Sequence, residues 1–264
     1  MADIVSSVDE LTADERAALR RFIVSLADTK RLLGIRFSDW LLGAPSIETG
    51  IAASSMAQDE WGHARLIYAM LKDFGEDPKD VEHDRPAEAY ANAPALDREF
   101  TDWAEVIAAM VVVDGAISAM LTGFSEGSYE SARSRVPKML GEEEFHRDMG
   151  LAWLRRMDGS SPEGRARMAE ALMGMLGSTM EWMAPGDEMS EVLAKAGLVS
   201  SSADTLARFR DVYATPFAKL GVELPASVGV SESWDAARGR GAGAPEEEAV
   251  QRARGDLNRM LFVE

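Results

Sequence analysis

The sequence predicts an all-α protein, a four-helix bundle with a long crossover between helices 2 and 3 and additional C-terminal helices. Apolar residues recur at three- and four-residue spacing through several long runs. Strand-like alternation is nearly absent. The connections between the four long runs are short, long and short, the pattern of a bundle with one crossover.

Helix 1 opens at a capping box, with Thr12 as N-cap and Glu15 three residues on. Leu19, Phe22, Ile23, Leu26, Leu33, Phe37, Trp40 and Leu41 then follow helical spacing, and Gly43-Ala44-Pro45 is a stop. Ser46 caps helix 2, which carries Glu48 in its first turn and runs to Gly75. The polar, proline-punctuated stretch from Glu76 to Leu96 is the crossover. Helix 3 spans about Asp97 to Phe124 and helix 4 about Tyr129 to Met157. At 1.5 Å per residue each helix is roughly 40 Å long. Further helices are expected over Pro162–Met183 and Ala203–Leu220. The helical domain is placed at 1–225. Residues 226–264 form a Gly/Ser/Ala-rich linker or mobile arm with a short helix near Glu246–Met260. The glycine run at 238–243 follows no strand and is not a nucleotide loop.

Composition narrows the function. The 264 residues carry 45 acidic and 28 basic side chains, a formal charge of −17. That balance argues against nucleic-acid binding and against a polybasic membrane contact. The absence of cysteine excludes disulfides, thiolate zinc sites, iron–sulfur clusters and cysteine nucleophiles. The N-terminal residues show neither a signal peptide nor a transit peptide. The apolar run Val106–Leu121 is too short to span a bilayer and has Asp114 near its middle. A cytoplasmic location is the expectation.

Two of the three histidines sit in E-x-x-H pairs, Glu60/His63 and Glu143/His146. This spacing places carboxylate and imidazole one turn apart on one helix face. The third, His83, lies in the crossover and is expected at the surface. Asp114, in a valine-rich run, is costly to bury without a partner or a metal. Oxygen and imidazole donors suit iron(II) or manganese(II). Bundle sites of this kind take one carboxylate from each of two helices and one E-x-x-H from each of the others. The bland alternative is two buried histidines, each bonded to a neighbouring carboxylate.

The sixth ligand position, 30 residues before Glu60, holds Lys30. Asp28 lies about 200° around the helix and faces away if Lys30 faces in. Glu60, Asp114 and Glu143 with a protonated Lys30 carry −2, which one divalent metal balances. Lys30 could instead occupy a metal position outright, act as a ligand or reagent with a depressed pKa, or lie on a solvated face. Glu142 and Glu144 are expected to be solvated or to support a ligand. Asp59 could hold a ligating histidine from behind. The Met168, Met173, Met175, Met180 and Met183 run reads as core filler, and Trp103 and Trp182 as packing residues.

The segments Leu26-Ala27-Asp28, Ser38-Asp39-Trp40, Ala44-Pro45-Ser46 and Gln58-Asp59-Glu60-Trp61-Gly62-His63-Ala64-Arg65 resemble the ring-oxygenase subunits of the phenylacetyl-CoA epoxidase complex. The resemblance covers roughly Arg20 to Pro225. It implies a ferritin-like fold and one of two subunit types. One is a catalytic di-iron subunit that epoxidises the aromatic ring of a CoA thioester with O2. The other is structural and has lost most ligands. The QDExGH run and Glu143-Glu144-Phe145-His146 are similar to the catalytic type. Leu26-Ala27-Asp28 and Trp153-Leu154-Arg155-Arg156-Met157-Asp158-Gly159 are similar to the structural type. Carried over, Glu60, His63, Asp114, Glu143 and His146 match metal ligands, and Lys30 stands at the catalytic centre in place of the first Glu.

The resemblance thus implies one or two irons, with manganese possible, and a separate reductase. It also implies a homodimer, or a hetero-oligomer with a related helical subunit. A metal-free structural subunit, with Lys30 replacing a ligand, is the alternative. Plain iron storage is a weaker third.

Overall fold

The computed structural model describes residues 4–255 together with Asn258 and Leu261. Among them the only extended pairings are isolated bridges, Val5 with Tyr129 and Asp235 with Arg240. Everything else that is regular is helical, so the expected all-α class is what forms.

Helix α1 (Ala13–Ser38) starts at the Thr12/Glu15 capping box. Its buried stripe includes Leu19, Ile23, Leu26, Lys30, Leu33 and Phe37, spaced by three and four residues. The helix ends at Ser38, before the expected Gly43 stop. Trp40 to Ala44 turn the chain, and Ser46 caps α2 (Ile47–Tyr68). Beyond Tyr68 the chain tightens into a 3-10 turn and stops at Gly75, whose φ of 78° favours glycine.

The crossover contains the short helix α3 (Pro78–His83) and two 3-10 turns. It is pinned to α1 by two residues beside Lys30. Asp28 is buried and accepts from Tyr68, from Arg85 and from the amide of Ala91. Thr29 accepts from the amide of Ala93 at 3.0 Å. Asp28 therefore does face away from the position Lys30 occupies, into a cluster of its own.

Helix α4 (Trp103–Glu126) begins after Asp102, later than the Asp97 expected from sequence. It is long and apolar enough to cross a membrane by composition, but most of it is buried. Here it is the central helix of the core. Residues Ala109–Val113 form a π segment, closed where the Asp114 N–H bonds to Ala109 O. An extra residue in one turn re-aims the side chain that follows, and such bulges often mark functional sites. Helix α5 (Glu130–Asp158) runs back along α4, as α2 runs back along α1.

After the bundle come α6 (Pro162–Met183), α7 (Glu188–Lys195) and α8 (Ser202–Lys219). Met168, Met175, Met180 and Met183 fill the core, whereas Met173 is exposed. Trp182 packs inside and donates to Ser25 and to Ala91 O. Trp103 is half-buried against Trp40 and Trp153.

The segment at 238–243 is not a mobile arm. Arg240 is fully buried and bonds to Asn92 and Asp97, which fastens the chain to the crossover. A buried guanidinium needs such partners, and these lie more than 140 residues away in sequence. Helix α9 (Glu247–Arg254) follows and packs on α1. Gly255, at φ 73°, caps its end, and Met260, the expected end of the tail helix, lies outside the described residues.

Candidate metal centre

Four helices deliver five acidic and imidazole side chains and one ammonium group to the middle of the bundle. Lys30 comes from α1, Glu60 and His63 from α2, Asp114 from α4, and Glu143 and His146 from α5. All six are buried. Each lies on the inward stripe of its helix, and Asp114 owes its position to the preceding π segment.

Lys30 is the hub. Its Nζ lies 3.0 Å from Glu60 Oε1, 3.0 Å from Asp114 Oδ1 and 2.5 Å from Glu143 Oε1. Burial works against its charge, but Asp114, Glu143 and Glu60 outweigh it and hold the pKa well above the usual lysine range. Burial removes the solvated alternative, and the three carboxylates work against a depressed pKa. Lys30 stands where a cation belongs.

The two E-x-x-H motifs pair crosswise. His63 Nδ1 lies 3.0 Å from Glu143 Oε1, on the opposite helix. His146 Nδ1 lies 3.0 Å from Asp114 Oδ2 and 3.3 Å from Glu60 Oε1. Its distance to Glu143, within its own motif, is 3.9 Å. The outer nitrogens repeat the pattern. His63 Nε2 is 2.7 Å from Glu142 Oε2, and His146 Nε2 is 3.4 Å from Asp59 Oδ2. Asp59 and Glu142 each immediately precede a motif glutamate. Each therefore supports a histidine from behind, the place a second carboxylate takes in metal–histidine sites. Glu144 is exposed, and His83 is half-buried in the crossover rather than fully at the surface.

The electrostatics follow from three carboxylates packed together. Burial and the charge of Asp114 raise the Glu60 pKa to about 7, against the opposing pull of Lys30. Burial would raise Asp114 too, but Lys30 and His146 hold it well below the usual range. Burial opposes a charged His146, yet its hydrogen bonds to Asp114 and Glu60 push it up to about 11. His63 is raised as well, burial being outweighed by its bond to Glu143. The hydrogen bond from His63 lowers Glu142.

The donors fit a metal. Glu60, Asp114, Glu143 and His146 each offer a ligand atom, and these atoms lie within 4.8 Å of one another. Glu60 presents both carboxylate oxygens to Lys30 Nζ, at 3.0 and 2.9 Å. Carboxylate oxygens and an imidazole are donors of the kind that hold a divalent cation. His63 lies outside this tightest group and reaches it through Glu143.

Sequence reasoning did not find one contributor. Ser118, one turn after Asp114, donates to Glu143 Oε2 at 3.2 Å. Its four-residue spacing from Asp114 on a helix was the available signal.

Bundle and site together define a ferritin-like carboxylate–histidine protein. A family model described as phenylacetic acid catabolic protein matches residues 1–242, and the chain belongs to that family. No curated protein matches the chain.

Proposed function

We propose that the chain is an iron-holding subunit of an O2-dependent ring oxygenase acting on an aromatic CoA thioester of the phenylacetyl type. The convergence of Glu60, Asp114, Glu143 and His146 carries this reading, and the family supports it. Bound iron would supply the redox chemistry that activates O2, with manganese as the second fit to the same donors.

The chain's own residues have definite tasks around that group. Asp59 and Glu142 orient the imidazoles of His146 and His63. Met110, Val111, Val112 and Val113 keep the adjoining core dry. Lys30 neutralises one of the three carboxylates. Electrons come from a separate reductase, since a chain without cysteine has no ligands for an iron–sulfur cluster. The working unit is a homodimer or a hetero-oligomer with a related helical subunit, in the cytoplasm.

A second reading is favoured by Lys30. Lys30 and a protonated His146 face three carboxylates, of which Glu60 has its pKa raised to about 7, so much of the charge is offset without a metal. In that case the chain is the structural partner of a catalytic subunit. Metal analysis of protein purified from iron-replete cells separates the two. The first predicts near one iron per chain, and a value below about 0.2 rejects it in favour of the second.

A further inference from the structure

A groove of about 470 Å³ opens where α1, α2 and the end of α9 meet. Four arginines line it: Arg31 of α1, Arg65 of α2, and Arg252 and Arg254 of α9. Among the described residues no aspartate or glutamate lines it. In a chain with 45 acidic and 28 basic side chains this is a local reversal of charge. Arg65 is exposed and has no hydrogen-bond or ion-pair partner among the described residues.

The acids that pair with the other arginines stand outside the groove wall. Arg31 meets Glu82 at 2.7 Å, Arg252 meets Asp39, and Arg254 meets Glu247 at 3.4 Å. These contacts fix the guanidinium groups, and Arg252 engages only its Nη2, leaving further N–H donors. The last carbonyls of α9 would repel an anion, but they are covered. Arg31 donates to Ala253 O, and the Gly255 N–H to Arg252 O and Gln251 O. Trp61 lines the same groove one turn before Arg65. A Cβ at Gly34 would collide with its indole, so the ring is held against α1.

We propose that this groove binds a nucleoside phosphate, with Arg65 and Arg252 on the phosphate oxygens and Trp61 against the base. Guanidinium groups give phosphate forked, charge-assisted bonds, and an indole offers a face on which a base stacks. The volume falls in the range of small-molecule sites. Two sources share this chemistry: the phosphorylated adenosine that ends a CoA thioester, and a free nucleotide. The first source rests on the oxygenase reading. The site itself needs no metal and is tested without one.

Metal-free protein is titrated calorimetrically with ADP, pyrophosphate and CoA at low ionic strength. ADP should bind with a Kd below about 1 mM, and at least about five-fold tighter than pyrophosphate because the base stacks. Arg65→Glu should weaken ADP at least about ten-fold, since charge-assisted bonds are lost. Arg155→Glu makes the same charge change at an exposed position of α5 and should alter binding less than about two-fold. A Kd for ADP above about 1 mM, pyrophosphate binding as tightly as ADP, or equal losses in the two variants overturns the proposal.

Trp61→Leu should abolish the advantage of ADP over pyrophosphate. If that variant fails to fold, the wild-type comparison of the two ligands decides alone. CoA binding at least about five-fold tighter than ADP, with the same loss in Arg65→Glu, assigns the site to the thioester. Equal or weaker binding of CoA assigns it to a free nucleotide. ADP binding by a chain that takes up no iron would leave the site standing and remove the oxygenase reading. Iron uptake without ADP binding would do the reverse, so the two failures are distinct.

Discussion

The Lys30 ammonium lies 2.5 Å from Glu143 Oε1, in the middle of a bundle whose other helices each bring a carboxylate to the same point. Removing one partner of a buried ion group leaves uncompensated charge and typically costs about 3–5 kcal/mol. Lys30→Met should therefore destabilise metal-free protein by about that amount, read from urea unfolding. Manganese(II) should restore much of the loss, because a divalent cation replaces the missing positive charge. Lys30→Glu, which supplies the absent carboxylate, should raise metal stoichiometry. An unchanged stoichiometry would count against Lys30 standing in a metal position.

The crosswise pairing of His63 with Glu142 and of His146 with Asp59 makes a matched prediction. Such supporting carboxylates typically contribute 10- to 100-fold to metal affinity. Glu142→Gln and Asp59→Asn should each weaken manganese(II) binding by about that factor in a calorimetric titration, with little change in unfolding midpoint. Glu142→Gln should have the larger effect, since its contact is 2.7 Å against 3.4 Å for Asp59. Equal affinity in wild type and both variants would mean that the histidines are held by packing alone.

The parts legible in sequence were those encoded by local chemistry. Helix α6 begins at Pro162 because Ser161 caps it, accepting from the Gly164 amide, and both residues are conspicuous in the chain. That Glu60, Asp114, Glu143 and His146 meet was legible because the three-residue spacing of E-x-x-H and a buried charge leave few alternatives. Helix α7, only eight residues after the Asp187 cap, is too short for periodicity to stand out. The π segment before Asp114 packs against both α5 and α6 and has no local signature. The anchoring of Arg240 on Asn92 and Asp97 is a long-range event, so a glycine-rich arm read as mobile turns out to be fastened. The crosswise partners of the histidines were hidden for the same reason. Spacing along one helix reveals a shared face but not the neighbour across it.

Away from the centre, Glu105 offers a clean pH prediction. Its carboxylate accepts from Arg98 at 2.9 and 3.0 Å, from the Thr101 amide at 2.8 Å and from Arg167 at 3.2 Å. The bonds from Arg98, against a smaller opposing effect of burial, hold its pKa at about 2, below an ordinary value of 4.5. The folded state thus prefers the ionised form. Its contribution is fully present above the unfolded pKa and is lost as pH falls from about 4.5 through about 2. Arg98 is largely exposed, so solvent screening reduces the contribution to about 1–2 kcal/mol. Glu105→Gln should be less stable than wild type by that amount at pH 6. The gap should close progressively between about pH 5 and pH 2, as urea midpoints across that range would show. A gap that stays constant down to pH 2 would mean that the loss comes from altered packing at the start of α4 and not from the carboxylate's charge.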